Sequence, residues 1–325
     1  MQKPSVLSGI QPTGPLHIGN YLGALKNFVN LQNSEEYRTL FFIADLHSLT
    51  ENFDSKNKPT QVLDIAASFL AAGLDPKLST LFIQSQVPPH SELAWILSTI
   101  TPMGELSRMT QYKDKADRMD NNVGLFTYPT LMAADIILYD ATFVPTGDDQ
   151  DQHLELTRTL VRKFNAKFGQ TFVEPKNLHT ELPRVMSLTN PEKKMSKSEP
   201  AGCVFIDDSQ EVMTKKIMSA VTDSGSEVVS REDKPGISNL LRITSTLTEK
   251  PVAELEALFK GKNYGEFKKY VAQVTNDYFA PIRERKAKLM KTSEKVLKIF
   301  TDGSAQANKI AQKKMSDVKS KVGLV

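Results

Sequence analysis

Ser5-Val6-Leu7-Ser8-Gly9-Ile10-Gln11-Pro12-Thr13-Gly14, continuing through Pro15-Leu16 to His17-Ile18-Gly19-Asn20, sets the architecture of this 325-residue chain. Ser5 to Ser8 is a short apolar run that stops at Gly9, as a buried strand does. From His17 to Leu31 the apolar residues Ile18, Leu22, Leu25, Phe28 and Val29 recur at helical spacing. A glycine-rich turn between a strand and a helix sits where ligands bind in an open α/β sheet, at the carboxyl ends of the strands. The helix start offers free N–H groups and a positive dipole to phosphate. Gly19 permits close approach of a flat base or a phosphate. His17 and Asn20 lie three apart on one face, and both can donate to phosphoryl oxygens. The plainer alternative is a glycine turn with a helix cap.

Outward from this unit the alternation continues. Leu40 to Ala44 and Thr80 to Gln84 read as further buried strands, and Thr142 to Pro145 as a short one. Thr60 to Ala72, ended by Gly73 and Pro76, reads as a helix, as do Ser91 to Ile100 and Asp148 to Phe164. A mainly helical stretch spans 104–140. The pattern predicts a parallel sheet covered by helices on both faces. After about Asp207 only helical pattern remains. Breaks are expected near Gly236, Gly261 to Gly265 and Gly303, with Pro281 kinking or interrupting one helix. The domain boundary is placed near 205.

Composition excludes several classes. The apolar stretches are short and broken, far from the roughly 20 residues needed to span a bilayer, so no membrane association is expected. No signal peptide or transit segment is apparent. One cysteine, Cys203, rules out an intrachain disulfide and suits a reducing, cytoplasmic setting. His47, His90, His153 and His179 are scattered without metal-ligand spacing, so no structural zinc is expected. The net charge is only +3, but Pro281 to Val325 holds twelve Lys or Arg against four Asp or Glu. Such a segment can meet a polyanion or be a solvated helix face.

Two further sites carry chemistry. Lys194-Met195-Ser196-Lys197-Ser198 places mobile cations and hydroxyl donors in one polar loop. Such a loop can close over a triphosphate and stabilise charge moving onto pyrophosphate. Asp135 sits in a helix apolar on both sides of it, among Leu131, Met132, Ala133, Ala134, Ile136, Ile137 and Leu138. A carboxylate there must find a partner.

The paired turn and lysine loop resemble the two signatures of the class I aminoacyl-tRNA synthetases, and the wording is similar to their tryptophanyl-tRNA synthetase branch, bacterial or organellar in type. The matching residues are Gly9 to Gly14, His17 to Ala24, Gly104-Glu105-Leu106, Met109-Thr110-Gln111, Met132 to Ile136, Ser219 to Ser224 and Pro235 to Leu241. The resemblance covers nearly the whole chain. It departs at Gly147-Asp148-Asp149-Gln150, where the family usually has Glu in second place. It departs also at Asp151, often Lys, and at Leu46, often Gln.

The resemblance implies a Rossmann-like doubly wound catalytic domain over 1–205 with a helical insertion, and an all-helical tRNA anticodon-binding domain over 206–325. It implies a homodimer that activates L-tryptophan with ATP and Mg²⁺ and then charges tRNA(Trp). His17, Asn20, Lys194, Lys197 and Lys113 would be catalytic. ATP would meet Gln11, Pro12, Thr13, Gly19, Asn20, Gly147, Asp148, Asp149, Val185, Lys194, Met195, Ser196, Lys197 and Ser198. Asp135 would accept the indole N–H, with Tyr128, Met132, His47, Val144, Gln150 and Gln11 completing the tryptophan pocket. Three rivals stand beside this reading. Tyrosyl-tRNA synthetase shares the fold, but the Gly9 to Gly14 wording argues against it. A silent RNA-binding paralogue fits poorly with the intact lysine loop. A nucleotidyltransferase would leave the C-terminal helices unexplained.

Overall fold

The computed structural model describes residues 3–109, 122–145, 147, 150–178 and 184–324. Five parallel strands form one sheet in the order β3-β2-β1-β4-β5. They are β1 (Ser5–Ile10), β2 (Arg38–Ile43), β3 (Ser79–Ile83), β4 (Phe143–Val144) and β5 (Lys176–Asn177). β1 and β2 run in register from Ser5 against Arg38 to Ile10 against Ile43. Successive side chains of a strand face opposite ways. Val6, Phe41, Ile43 and Leu81 therefore join one apolar core, and Leu7, Leu40, Phe42 and Phe82 the other. Burial on both faces is why these strands read as continuous apolar runs.

The first crossover is α1 (Ile18–Asn20), a π-helical turn at Tyr21–Leu25, and α2 (Lys26–Asn33). The second is α3 (Lys58–Ala72), closed by Gly73 at φ 116°, a left-handed conformation that costs glycine little. α4 (Pro89–Ser98), α5 (Met103–Ser107) and α6 (Val123–Ile137) cover the second face, and α7 (Asp151–Phe168) leads to β5. No helix among the described residues is long and apolar enough to cross a membrane.

The chain after 205 is helical: α8 (Gln210–Met218), α9 (Pro235–Thr248), α10 (Val252–Leu258), α11 (Tyr264–Met290) and α12 (Ser293–Val322). One expected break is corrected: Gly303 lies inside α12. Pro281 lies inside α11 and does not interrupt it. Gly303 is there for contact: a Cβ would stand 1.9 Å from the Leu81 carbonyl oxygen of β3. Next to it, Ser304 Oγ accepts the Ile83 N–H at 3.1 Å. β3 is the edge of the sheet, and α12 covers it, satisfying a donor that an open edge would leave bare. Gly303→Ala should force α12 outward and lower stability by about 1–3 kcal/mol, an overpacking cost, read as a lower urea midpoint at unchanged slope.

This docking also occupies cations of the basic C-terminal segment. Lys286 bridges Asp64 at 2.7 Å and Asp207 at 2.5 Å. Lys314 binds Asp140 at 2.8 Å, and Lys319 binds Glu92 at 2.6 Å. Arg285 Nε donates to the Ala71 carbonyl at 2.7 Å. These charges tie the C-terminal helices to the α/β half.

Candidate active site

The turn after β1 and the start of α1 are built by reciprocal capping. Asn20 N–H donates to His17 Nδ1 at 3.1 Å, and His17 N–H donates to Asn20 Oδ1 at 3.3 Å. With Nδ1 accepting, the imidazole proton sits on Nε2, and the Asn20 amide nitrogen is left as that side chain's donor. Burial, then the nearby Lys197 and Lys194 charges, push the His17 pKa down to about 4. His17 is therefore a neutral donor at pH 7. At Gly19 a Cβ would stand 2.9 Å from the His17 ring and 3.4 Å from Val185 Cβ. Only glycine keeps a flat space between them.

The lysine loop folds back onto this turn. Met186 and Lys194 form an antiparallel bridge, and Met195 N–H donates to the Val185 carbonyl at 3.1 Å. Met195 is buried and anchors the loop in the core, while Lys194, Ser196 and Ser198 are exposed. Ser196 and Ser198 hydroxyls are 2.8 Å apart. Lys197 Nζ reaches the Gly14 carbonyl at 2.8 Å and Thr13 Oγ1 at 3.3 Å. Burial holds the Lys197 pKa down to about 8, partly offset by the Asp64 carboxylate. Two signatures separated by 183 residues in the chain thus meet through one ammonium group.

Beside the turn lies a cavity of about 320 Å³, within the size range of ligand pockets, at the carboxyl ends of β1, β2 and β4. Its lining includes Gln11, His47, Tyr128, Met132, Asp135, Val144, Gly147 and Gln150. The seven residues assigned to the amino-acid pocket from the sequence are all among them. Gly9 and Gln11 belong both to the cavity and to the turn that Lys197 touches, so the two halves of the site are continuous. Lys113, Asp148 and Asp149 lie outside the described residues. No group of three His, Cys, Asp or Glu among the described residues could hold a metal ion.

The structure adds residues that the pattern did not single out. Asp135 is almost fully buried and receives three side chains: His47 Nε2 at 2.7 Å, His90 Nδ1 at 2.6 Å, and Gln84 Nε2 at 2.8 and 2.9 Å. His90 Nε2 pairs with Tyr139 OH at 2.8 Å. Burial alone would raise the Asp135 pKa, but the two histidines outweigh it and hold the group below the usual carboxylate range. Tyr128 OH meets His153 Nε2 at 2.7 Å, and His153 Nδ1 meets Gln150 Oε1 at 3.1 Å. From α9, Asn239 grips the Met186 backbone by two bonds of 2.9 Å. Gly236 lets α9 approach so closely that a Cβ would stand 2.1 Å from the Val221 carbonyl. The Pro235 to Leu241 motif therefore holds the segment that carries the lysine loop. Position was the available signal for Gln84 and His90: both follow the end of β3, where an open sheet places its ligands.

Comparison with known proteins agrees with this geometry. Residues 1–280 match the family model for tRNA synthetases class I (W and Y). The chain is 48% identical over 325 residues to the tryptophan–tRNA ligase of Caldanaerobacter subterraneus subsp. tengcongensis, covering 98% of each chain. Among solved structures it resembles tryptophanyl-tRNA synthetase from Mycoplasma pneumoniae, with TM-score 0.90, 35% identity, and coverage of 100% of this chain and 99% of that one. It also resembles the Campylobacter jejuni tryptophanyl-tRNA synthetase complexed with ADP and tryptophan, with TM-score 0.85, 38% identity, and coverage of 98% and 99%. The chain belongs to the class I tRNA synthetases of the tryptophan and tyrosine branch. Within that family its sequence is closely similar to tryptophan–tRNA ligases.

Proposed function

We propose that the protein activates L-tryptophan with ATP and transfers it to tRNA(Trp). One observation carries the reading: a cavity whose wall, among the described residues, holds one buried carboxylate, Asp135, opens onto a turn held by Lys197. An indole offers one N–H donor on a large apolar body, which matches a buried carboxylate beside Met132, Ile136 and Val144. The tryptophan carboxylate attacks the α-phosphorus of ATP and pyrophosphate leaves, giving tryptophanyl-adenylate. A hydroxyl of the 3′-terminal tRNA ribose then attacks the carbonyl carbon, and AMP leaves. No protein nucleophile is required; positioning and charge stabilisation suffice.

In this scheme His17 Nε2 and the Asn20 amide donate to the phosphates, and Gly19 and Val185 flank the adenine. Gln11, Pro12, Thr13 and Gly147 line the passage between nucleotide and amino acid, with Gln150 on the tryptophan amino-acid moiety. Lys197, Lys194, Ser196 and Ser198 meet the departing pyrophosphate. Mg²⁺ enters as part of the nucleotide substrate, on its phosphates. The departure at Asp148 bears on ribose binding. With ATP and tRNA as substrates, the reaction belongs to the cytoplasm. ATP–pyrophosphate exchange with each of the twenty amino acids tests the reading: tryptophan should dominate.

Two partner assignments complete the proposal. Trp95 on α4, Met103 on α5 and Val123 on α6 are large apolar residues, each more than 70% exposed, and α6 packs against both α4 and α5. Exposed apolar groups on neighbouring elements suit an interface, here one between two copies of the chain. For tRNA, we assign Lys288, Lys291 and Lys295, exposed at the corner between α11 and α12, to the helical domain's RNA contact. Replacing all three with Gln should weaken tRNA binding and reduce its salt slope by roughly one unit for each lost phosphate contact, while exchange without tRNA stays unchanged. Replacing Lys314 and Lys319, which pair with Asp140 and Glu92, should instead lower stability. A salt titration of tRNA affinity separates the two groups; an unchanged slope in the triple variant would remove the corner from the RNA site.

A further inference from the structure

Asp135 already has a full set of donors. A carboxylate offers about four acceptor sites, and Oδ1 receives His90 and Gln84 while Oδ2 receives His47 and Gln84. An incoming N–H must therefore replace one of them. The three donors differ in what else holds them. Gln84 is fully buried, and its Oε1 accepts the Leu46 and His47 backbone N–H groups at 3.2 and 3.4 Å. His90 is fully buried between the rings of Phe42, Phe82 and Tyr139. Its Nδ1 faces a group that only accepts, so Nδ1 carries the proton. In the neutral ring Nε2 then accepts from Tyr139 OH, which holds the ring in this orientation. His47 alone of the three lines the cavity.

We propose that His90, held in orientation by Tyr139, is a positioning residue that holds Asp135 from behind, so that His47 is the donor which the substrate N–H replaces. The inference rests on the reading that Asp135 receives the ring N–H of tryptophan. Binding is then an exchange of donors at constant number. The carboxylate never loses its partners, and the rear pair keeps its free edge turned to the cavity. His90 touches no substrate; it acts only through Asp135.

The test uses the full-length protein and two amino acids, tryptophan and 3-benzothienylalanine, in which sulfur replaces the indole N–H. A hydrogen bond to a charged group corresponds to a preference of roughly 10- to 150-fold, so the wild type should favour tryptophan in that range in pyrophosphate exchange. His90→Leu should remove most of this preference through a higher KM for tryptophan, leaving the KM for ATP unchanged. His90→Asn returns an N–H near the Nδ1 position and should restore it, whereas His90→Gln, whose N–H falls near Nε2, should not. Tyr139→Phe keeps the packing, removes the bond that holds the ring in place and should lose part of the preference, which keeps the test open even if His90→Leu fails to fold. Full preference retained in a folded His90→Leu or in Tyr139→Phe, or equal rescue by Asn and Gln, would overturn the inference. A wild type indifferent to the N–H would overturn the reading beneath it, before any variant is made.

Discussion

Lys197→Ala should slow adenylate formation by on the order of a hundredfold or more while leaving tryptophan affinity near the wild-type level. The reason is where the ammonium waits. Lys197 rests on the Gly14 carbonyl and Thr13 hydroxyl, largely removed from water. Those neutral acceptors are weak company for a desolvated cation, whereas the charge developing on pyrophosphate is a strong one. An interaction that strengthens as the bond breaks raises kcat rather than binding. A second consequence follows from its pKa of about 8. The ammonium is charged below that value, so kcat/KM for ATP should fall as pH rises through about 8. The Ala variant, having nothing to deprotonate there, should lose that limb. Exchange rates across pH 6.5 to 9.5 for both proteins check it; a variant with near-normal rate, or one retaining the alkaline limb, would remove Lys197 from the chemistry.

The second large effect concerns selectivity. A hydrogen bond to a charged group corresponds to a preference of roughly 10- to 150-fold, and apolar volume that an analogue leaves unfilled adds to it. Phenylalanine has no donor for Asp135, and tyrosine leaves part of an indole-sized cavity unfilled. Asp135→Asn keeps the shape but removes the charge and places a donor where an acceptor stood. The preference for tryptophan over phenylalanine should fall by on the order of a hundredfold or more, chiefly through loss of tryptophan activity. Asp135→Ala is the harsher change, because it leaves His47, His90 and Gln84 without their shared acceptor. Each orphaned buried donor costs roughly 1–3 kcal/mol, so that variant should also melt earlier. Exchange with the three aromatic amino acids, beside thermal unfolding, separates the two effects. Unchanged discrimination in Asp135→Asn would make Asp135 a purely structural residue.

Much of this site was legible in the sequence because its chemistry is local. The turn from Gly9 to Asn20 and the loop from Lys194 to Ser198 each gather their donors within a few residues, and a carboxylate inside an apolar helix announces that it needs a partner. The partners were not legible. Gln84 and His90 reach Asp135 from 51 and 45 residues away, and no periodicity encodes a meeting between elements. The strands followed the same division. Residues 40–44 and 80–84 are apolar enough to be read as strands, while β5 is only Lys176–Asn177, too short and polar to carry any alternation.

Gly303 shows the opposite failure. A glycine in a helical pattern reads as a break, yet here it is what lets α12 lie against the β3 backbone. The basic C-terminal segment is a related case. Composition records that its lysines are present but not that Lys286, Lys314 and Lys319 are consumed by carboxylates of the α/β half. Asn239 and Gly236 belong here too, since their contacts with Met186 and Val221 exist only once α9 is docked.

The measurement that bears most directly on the whole account is ATP–pyrophosphate exchange by the wild-type protein with each amino acid in turn. Strong exchange is expected with tryptophan, with tyrosine and phenylalanine lower by orders of magnitude. A protein that exchanged tyrosine best, or none of the three, would contradict it.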